Sequence, residues 1–259
     1  MRCWSCISYI NLFETLEGIN MSENSLVKAF GESIKENIID TAIDIAEIGI
    51  DAILEDSILK EIPIIKTVYA MSNCALSIRD KFFCKRTLAF LQEFERGKIK
   101  QDDIENHISR VGREGINKEI EVLIQYIDLC TKIEHSKMLA RFYIGYLRGE
   151  ITRDVFDELA EANRRVFICD YQYLKQLVLL PKITDVSEDD ESTVNRLSAL
   201  GLVIDSRIKM EGVRVVEQFA DKGVHLSNFG KIFGRYLYVT RDNLCISVDK
   251  ASRYDKPVK

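Results

Sequence analysis

The sequence predicts a mainly α fold: a helical bundle over residues 21–180, then a small α+β module over residues 181–259, with residues 1–20 as an N-terminal extension. Three observations carry this expectation. Only 3 prolines stand among 259 residues while charged side chains make up 30%, which suits long amphipathic helices better than a turn-rich β sandwich. Apolar residues recur at helical spacing along residues 26–168. Beyond Pro181 the composition changes and short β-type runs appear. The apolar share of 46% excludes wholesale disorder and a collagen-like repeat. A formal net charge of −5 gives no general pull toward nucleic acid or anionic membrane, so such binding has to be local.

The opening segment reads as an appendage. Residues 1–13 hold a single basic residue and a short, polar-interrupted apolar stretch with no small-residue cleavage site, which makes a poor signal peptide. A cleaner helical pattern begins at Met21. The 7 cysteines are odd in number and scattered through helical patterns, so reduced thiols in a cytoplasmic protein are expected rather than a disulfide framework. Cys3 and Cys6 form one C-x-x-C, but the second pair that a zinc ribbon needs is missing.

The first helix is expected over residues 26–54. Phe30, Ile34, Ile38 and Ile45 fall on one line, and Ile39, Ile43, Ile50 and Leu54 on a neighbouring one, giving a broad apolar face. Ala42, Ala46 and Gly49 let another helix approach closely. Opposite runs an acidic ladder: Glu32, Glu36, Asp40, Asp44, Glu47, Asp51 and Glu55. Like charges at that spacing destabilise a helix by roughly 0.2–0.5 kcal/mol per pair, so the ladder gains nothing locally. It reads as a solvated face or, more pointedly, as a docking strip for a basic element.

A basic helix follows, expected over residues 61–94, with Pro63 in its first turn and Gly97 as its stop. Residues 21–60 carry a net −6 and residues 61–100 a net +4, so the two helices are expected to pack antiparallel and offset each other. The alternative gives Arg79, Lys81, Lys85 and Arg86, set among Phe82 and Phe83, to the phosphates of a nucleic acid or lipid surface. Residues 62–78 hold no charge but Lys66 and fall short of the ~20 apolar residues a spanning helix needs. They are expected to form a buried core helix; in a membrane-perturbing alternative, residues 52–91 would rearrange into lipid.

Shorter helices are expected over 102–111, 116–133, 136–147, 153–168 and 171–180, punctuated by Gly112, Gly115 and Gly149, with Thr152 as an N-cap. The break comes at Pro181, followed by the acidic run Asp185, Glu188, Asp189, Asp190, Glu191. A short helix over 192–200 ends at Gly201. Two β-type runs, 202–208 and 213–219, are joined by a turn at 209–212, and a last helix covers 227–237.

This order of helix, Leu-Gly-Leu, hairpin and Leu-Ser-x-x-Gly-x-x-Phe resembles the winged-helix modules of many bacterial proteins over residues 170–240. In members that bind DNA, the first helix of the stretch enters the major groove. The resemblance thus implies Thr193, Asn195 and Arg196 as base contacts, with Arg207 and Lys209 of the wing near the backbone. This sequence departs from that use. Five of the seven residues at 185–191 are acidic, and residues 181–259 carry a net of only +1, against the strongly basic footprint of a duplex reader. A module used for packing or protein contact is the better expectation.

Chemistry is sparse. The 3 histidines, His107, His135 and His225, form no H-x-x-x-H or E-x-x-H pair; His107 sits among Asp103 and Glu105. No P-loop, no strand-linked G-x-G-x-x-G and no G-x-S-x-G elbow is present, and Gly230-x-x-x-Gly234 lies inside a helix. No enzyme activity, metal or other cofactor is expected.

The pieces Ile62-Pro63-Ile64-Ile65, Leu76 to Phe83, Phe90-Leu91 and Tyr146 to Ile151, with Phe156 and Asp170, resemble uncharacterised bacterial proteins. In these a helical N-terminal half precedes a winged-helix-like end. The resemblance spans most of residues 30–240 and implies no catalytic motif; by analogy with helical defence proteins it implies a role in anti-phage defence. The expected function is that of a non-catalytic interaction or regulatory protein whose partner is another protein or a second copy. The alternatives are a winged-helix transcriptional regulator and a membrane-perturbing effector.

Overall fold

The computed structural model describes residues 25–35, 57–72, 76–207 and 223–237. They are mainly helical, with one two-stranded sheet. The chain divides into two compact units, Met1–Ile168 and Cys169–Lys259. The division precedes the composition break at Pro181 because the helix before that proline packs on the strands and helices after it.

In the first unit the described helices are α1 (Ser25–Lys35), α2 (Ser57–Glu61), α3 (Pro63–Met71), α4 (Ile78–Arg96), α5 (Gln101–Val111), α6 (Arg113–Leu129), α7 (Ile133–Leu147) and α8 (Arg153–Arg165). The core runs through α4 and α7. Phe30 of α1 meets Phe90 of α4 at 5.8 Å between ring centroids, Phe90 meets Tyr143 of α7 at 6.4 Å, and Tyr143 meets Phe156 of α8 at 5.8 Å. Buried polar groups join the helices at defined points. The Ile64 amide at the start of α3 donates to Ser33 Oγ of α1 at 2.9 Å, and Ser136 Oγ donates to the Arg86 carbonyl at 2.8 Å. His135 Nε2 donates to the Val166 carbonyl at 2.9 Å, while Asn163 Nδ2 donates to the His135 carbonyl at 2.8 Å, tying α7 to the end of α8.

The helix expected over 61–94 is broken in two. Pro63 opens α3 as anticipated, but Ser77 and Asp80 form a capping box that starts α4 afresh. The apolar run 62–78 therefore does not form one buried helix: Ile62, Ile64, Ile65 and Val68 are buried, whereas Tyr69, Met71 and Ile78 are exposed. Among the described residues no helix is long and apolar enough to cross a membrane.

The second unit holds α9 (Asp170–Leu179), α10 (Glu188–Ala199), β1 (Val203–Asp205), β2 (Val224–Leu226) and α11 (Asn228–Arg235). β1 and β2 pair antiparallel with Val203 opposite Leu226 and Asp205 opposite Val224, and Ile183 bridges the far side of Val224. Among the described residues the partner of β1 is 224–226; the expected run 213–219 lies outside them. α10 also begins earlier than expected. Ser187 accepts from the Asp190 amide as its N-cap, so the acidic run is the first turn of a helix, where carboxylates favourably face the positive end of the helix dipole. The Gly-x-x-x-Gly string is a packing device. A Cβ at Gly230 would overlap the Leu202 carbonyl, and one at Gly234 would come within 2.6 Å of Val178 Cγ2, so both glycines let α11 lie close to its neighbours.

Candidate functional site

The first unit carries an open cleft of about 400 Å³. Its apolar lining is Leu26, Val68, Met71, Phe83 and Ile124; its polar lining is Ser72, Arg79, Asp80, Gln125 and Asp128. The elements place these side chains because α3 ends and α4 begins beside the C-terminal end of α6. Met71 of the lining is 64% exposed; outside the lining, Ile78 and Phe82 of α4 are 74% and 45% exposed and Leu129, next in the chain to Asp128, 48%.

Two residues of the basic patch serve the fold. The buried Arg86 donates from Nε to the Ile127 carbonyl at 3.0 Å and from Nη2 to the Asp128 carbonyl at 3.1 Å and to Asp128 Oδ1 at 3.2 Å. It thereby satisfies the last carbonyls of α6, and burial lowers its pKa. Arg79 Nη2 donates to Asp128 Oδ2, which raises its pKa, yet its side chain remains 79% exposed. Asp128 is the counter-charge that sequence reading missed; its only signal is its place in the last turn of a helix. Lys81 and Lys85 are half-buried on the adjoining turns. Of the two neighbouring phenylalanines, Phe83 lines the cleft and Phe82 faces solvent.

The acidic ladder is described only at Glu32, which pairs with Lys28 at 3.8 Å; Glu36, Asp40, Asp44, Glu47, Asp51 and Glu55 lie outside the described residues. The antiparallel partnership expected between ladder and patch lies outside them too.

The densest polar constellation is buried elsewhere in the unit. His107 is fully buried, with Nε2 2.8 Å from Glu119 Oε2, and its Nδ1 accepts from Arg110 Nη2 at 3.2 Å. Tyr146 donates to the other oxygen of Glu119, and Arg153 reaches that oxygen at 3.8 Å while pairing with Asp157 at 2.9 Å. Burial and the Glu119 hydrogen bond push the Tyr146 phenol well above its usual range. A histidine on a carboxylate is the grammar of acid–base catalysis, but here both ring nitrogens of His107 and both oxygens of Glu119 have partners and none of these residues lines the cleft. The arrangement joins α5, α6, α7 and α8. His107 takes its carboxylate from Glu119 of the next helix, not from Asp103 or Glu105 beside it in sequence.

In the second unit three of the candidate DNA contacts, Thr193, Arg196 and Arg207, are engaged internally. Asp170, 1% exposed, accepts from Arg196 Nε at 3.0 Å and Nη2 at 2.6 Å and from Thr193 Oγ1 at 3.1 Å. Arg207 is held by Glu191 at 2.9 and 3.1 Å and by Asp205 at 2.8 and 3.0 Å. These hydrogen bonds raise the Arg207 pKa and lower that of Asp205. Asn195 faces solvent beside Glu188, Asp189 and Ser192, an acidic outward face for a helix that would meet phosphate; Lys209 lies outside the described residues.

Among the described residues no group of three or more His, Cys, Asp or Glu side chains is placed to hold a metal ion. No protein-family model, curated protein or solved structure matches the chain.

Proposed function

We propose that the chain is a non-catalytic interaction protein of the cytoplasm that regulates another protein by binding it, in the setting of bacterial anti-phage defence that its resemblance implies. The observation that carries this reading is an open cleft lined by Leu26, Val68, Met71, Phe83 and Ile124, on an element whose Ile78 and Phe82 also stand exposed. Exposed apolar patches of this kind mark interaction sites, and aromatic and methionine side chains in a recess are the usual anchors of protein interfaces. The second unit is read as a winged-helix-like module used for packing or protein contact. The order α9, bridge, α10, β1, β2, α11 supports that reading. A DNA-reading regulator would have to take Arg196 and Arg207 away from their carboxylates.

The test is affinity capture at native expression in the native host, comparing the wild type with Ile78→Ser and Phe82→Ser. Both positions are exposed, so the fold is expected to stand. A partner retained by the wild type and lost from both variants supports the reading. Identical captures from all three chains contradict it.

A further inference from the structure

We infer that residues 4–13 of this chain's own N-terminal segment cover the cleft in cis, so that a partner has to displace them; the inference deepens the protein-contact reading above and rests on it. The argument begins with where the chain enters the first unit. α1 starts at Ser25, and Leu26, its second residue, already belongs to the cleft lining with Val68, Met71, Phe83 and Ile124. Residues 1–24 therefore join the described structure at the rim of the cleft. Lys35, where the chain leaves α1, stands about 14 Å further along the helix axis at 1.5 Å per residue. Of the two stretches that flank α1, only the N-terminal one is attached beside the lining.

The chemistry of that stretch matches the lining. Residues 3–13 hold no charged side chain, and Trp4, Ile7, Tyr9, Ile10, Leu12 and Phe13 are large and apolar or aromatic. The cleft offers them apolar surface: Met71 is largely exposed, and Val68, Phe83 and Ile124 face the recess from α3, α4 and α6. Removing both surfaces from water together is favourable in proportion to the area covered. Residues 14–24 supply the link, with a reach of about 36 Å at ~3.3 Å per extended residue, so residues 4–13 can lie along the cleft without pulling on α1. A segment tethered this closely meets the cleft at an effective concentration on the order of millimolar. A second copy arrives only at the concentration of the free protein, which selects the chain's own segment over it. The consequence is regulatory: the apparent affinity of the cleft for a partner falls with the fraction of molecules in which it is uncovered.

Two measurements on the purified full chain test this. Trp4 is the one tryptophan of the sequence, so intrinsic tryptophan fluorescence reports its surroundings alone. Its emission is expected at the short wavelengths of a buried indole, to move to longer wavelength in Met71→Asp, and to stay in place in Phe167→Asp. Both substituted positions are exposed, and an unchanged circular dichroism spectrum checks that the fold stands. The emission of a fully hydrated indole in the wild type, or no response to Met71→Asp, would overturn the inference. Second, a benzophenone amino acid in place of Met71 is expected to give an adduct within one chain that maps to residues 4–13, at a yield independent of protein concentration. An adduct between two chains that rises with concentration would assign the cleft to a second copy and overturn the inference, as would the absence of any adduct to residues 4–13. In the native host the same probe, combined with Trp4→Ser/Phe13→Ser, is expected to capture a second protein at least about fivefold more than with the segment unchanged. Equal capture from both chains overturns the inference and leaves the protein-contact reading standing. Capture of no protein by either overturns both.

Discussion

At the scale of single residues, Glu119 is the carboxylate on which the first unit turns. It accepts from Tyr146, faces His107 at 2.8 Å and lies near Arg153, so four helices meet at one side chain that is 5% exposed. Buried carboxylates hold their place only when such partners offset the loss of water. Tyr146→Phe removes one hydrogen bond from a buried acceptor and is expected to destabilise the unit by about 1–2 kcal/mol in chemical denaturation. Glu119→Ala leaves the His107 ring and the Tyr146 hydroxyl without their carboxylate, and its loss is expected to be the larger of the two. His135 adds a pH dependence of known sign. Burial lowers its pKa, so the unfolded chain takes up this proton first as the medium is acidified. The stability given by the neutral ring is complete above the unfolded value of about 6.5 and declines as pH falls from there toward the lower folded value. Thermal unfolding followed from about pH 7.5 down to about pH 5 is expected to show a midpoint that falls on acidification, and to fall less steeply in His135→Gln.

At the scale of elements, helix boundaries follow local chemistry more closely than apolar run length. Residues 62–78 read as one helix because Lys66 is the only charge among them, yet Ser77 and Asp80 spell a capping box at the end of the run. Ser187 and Asp190 repeat the same signal at α10, where the acidic string looked like a linker. The bundle helices 101–111, 113–129, 133–147 and 153–165 were legible to within a few residues because glycines and the Thr152 cap punctuate them. The strand 224–226 was not legible, because three residues carry too little alternation to be told from their neighbours. Gly230 offers the sharpest test at this scale. The close approach of α11 to Leu202 depends on the missing side chain, so Gly230→Ala is expected to destabilise the second unit by about 1–3 kcal/mol. Hydrogen exchange should show faster exchange in α11 and the strands, with the α4 and α7 amides unchanged.

At the scale of the whole molecule, charge acts through its distribution. The net −5 conceals a positive stretch at residues 61–100 and an acidic helix start in the second unit. Sequence reading located the cations of the candidate site but not its shape. Arg79, Lys81, Lys85 and Arg86 stand out by type, whereas the separation of a buried Phe83 from an exposed Phe82 depends on where α3, α4 and α6 come to rest. The use of Arg86 as a cap for α6, and of Arg196 and Arg207 as ion-pair partners inside the second unit, arises from contacts between residues distant in sequence. Composition could not reveal them.

The central claim is that the face around Phe82 binds another protein. The most direct measurement is photo-crosslinking in the native host, with a benzophenone amino acid placed at Phe82 in one strain and at Phe167 in another. Phe167, 57% exposed, follows the end of α8, away in sequence from α4, and serves as the control. The account expects a discrete covalent adduct with a second protein from position 82 and none from position 167. Adducts of equal yield from both positions, or none from position 82, would contradict it.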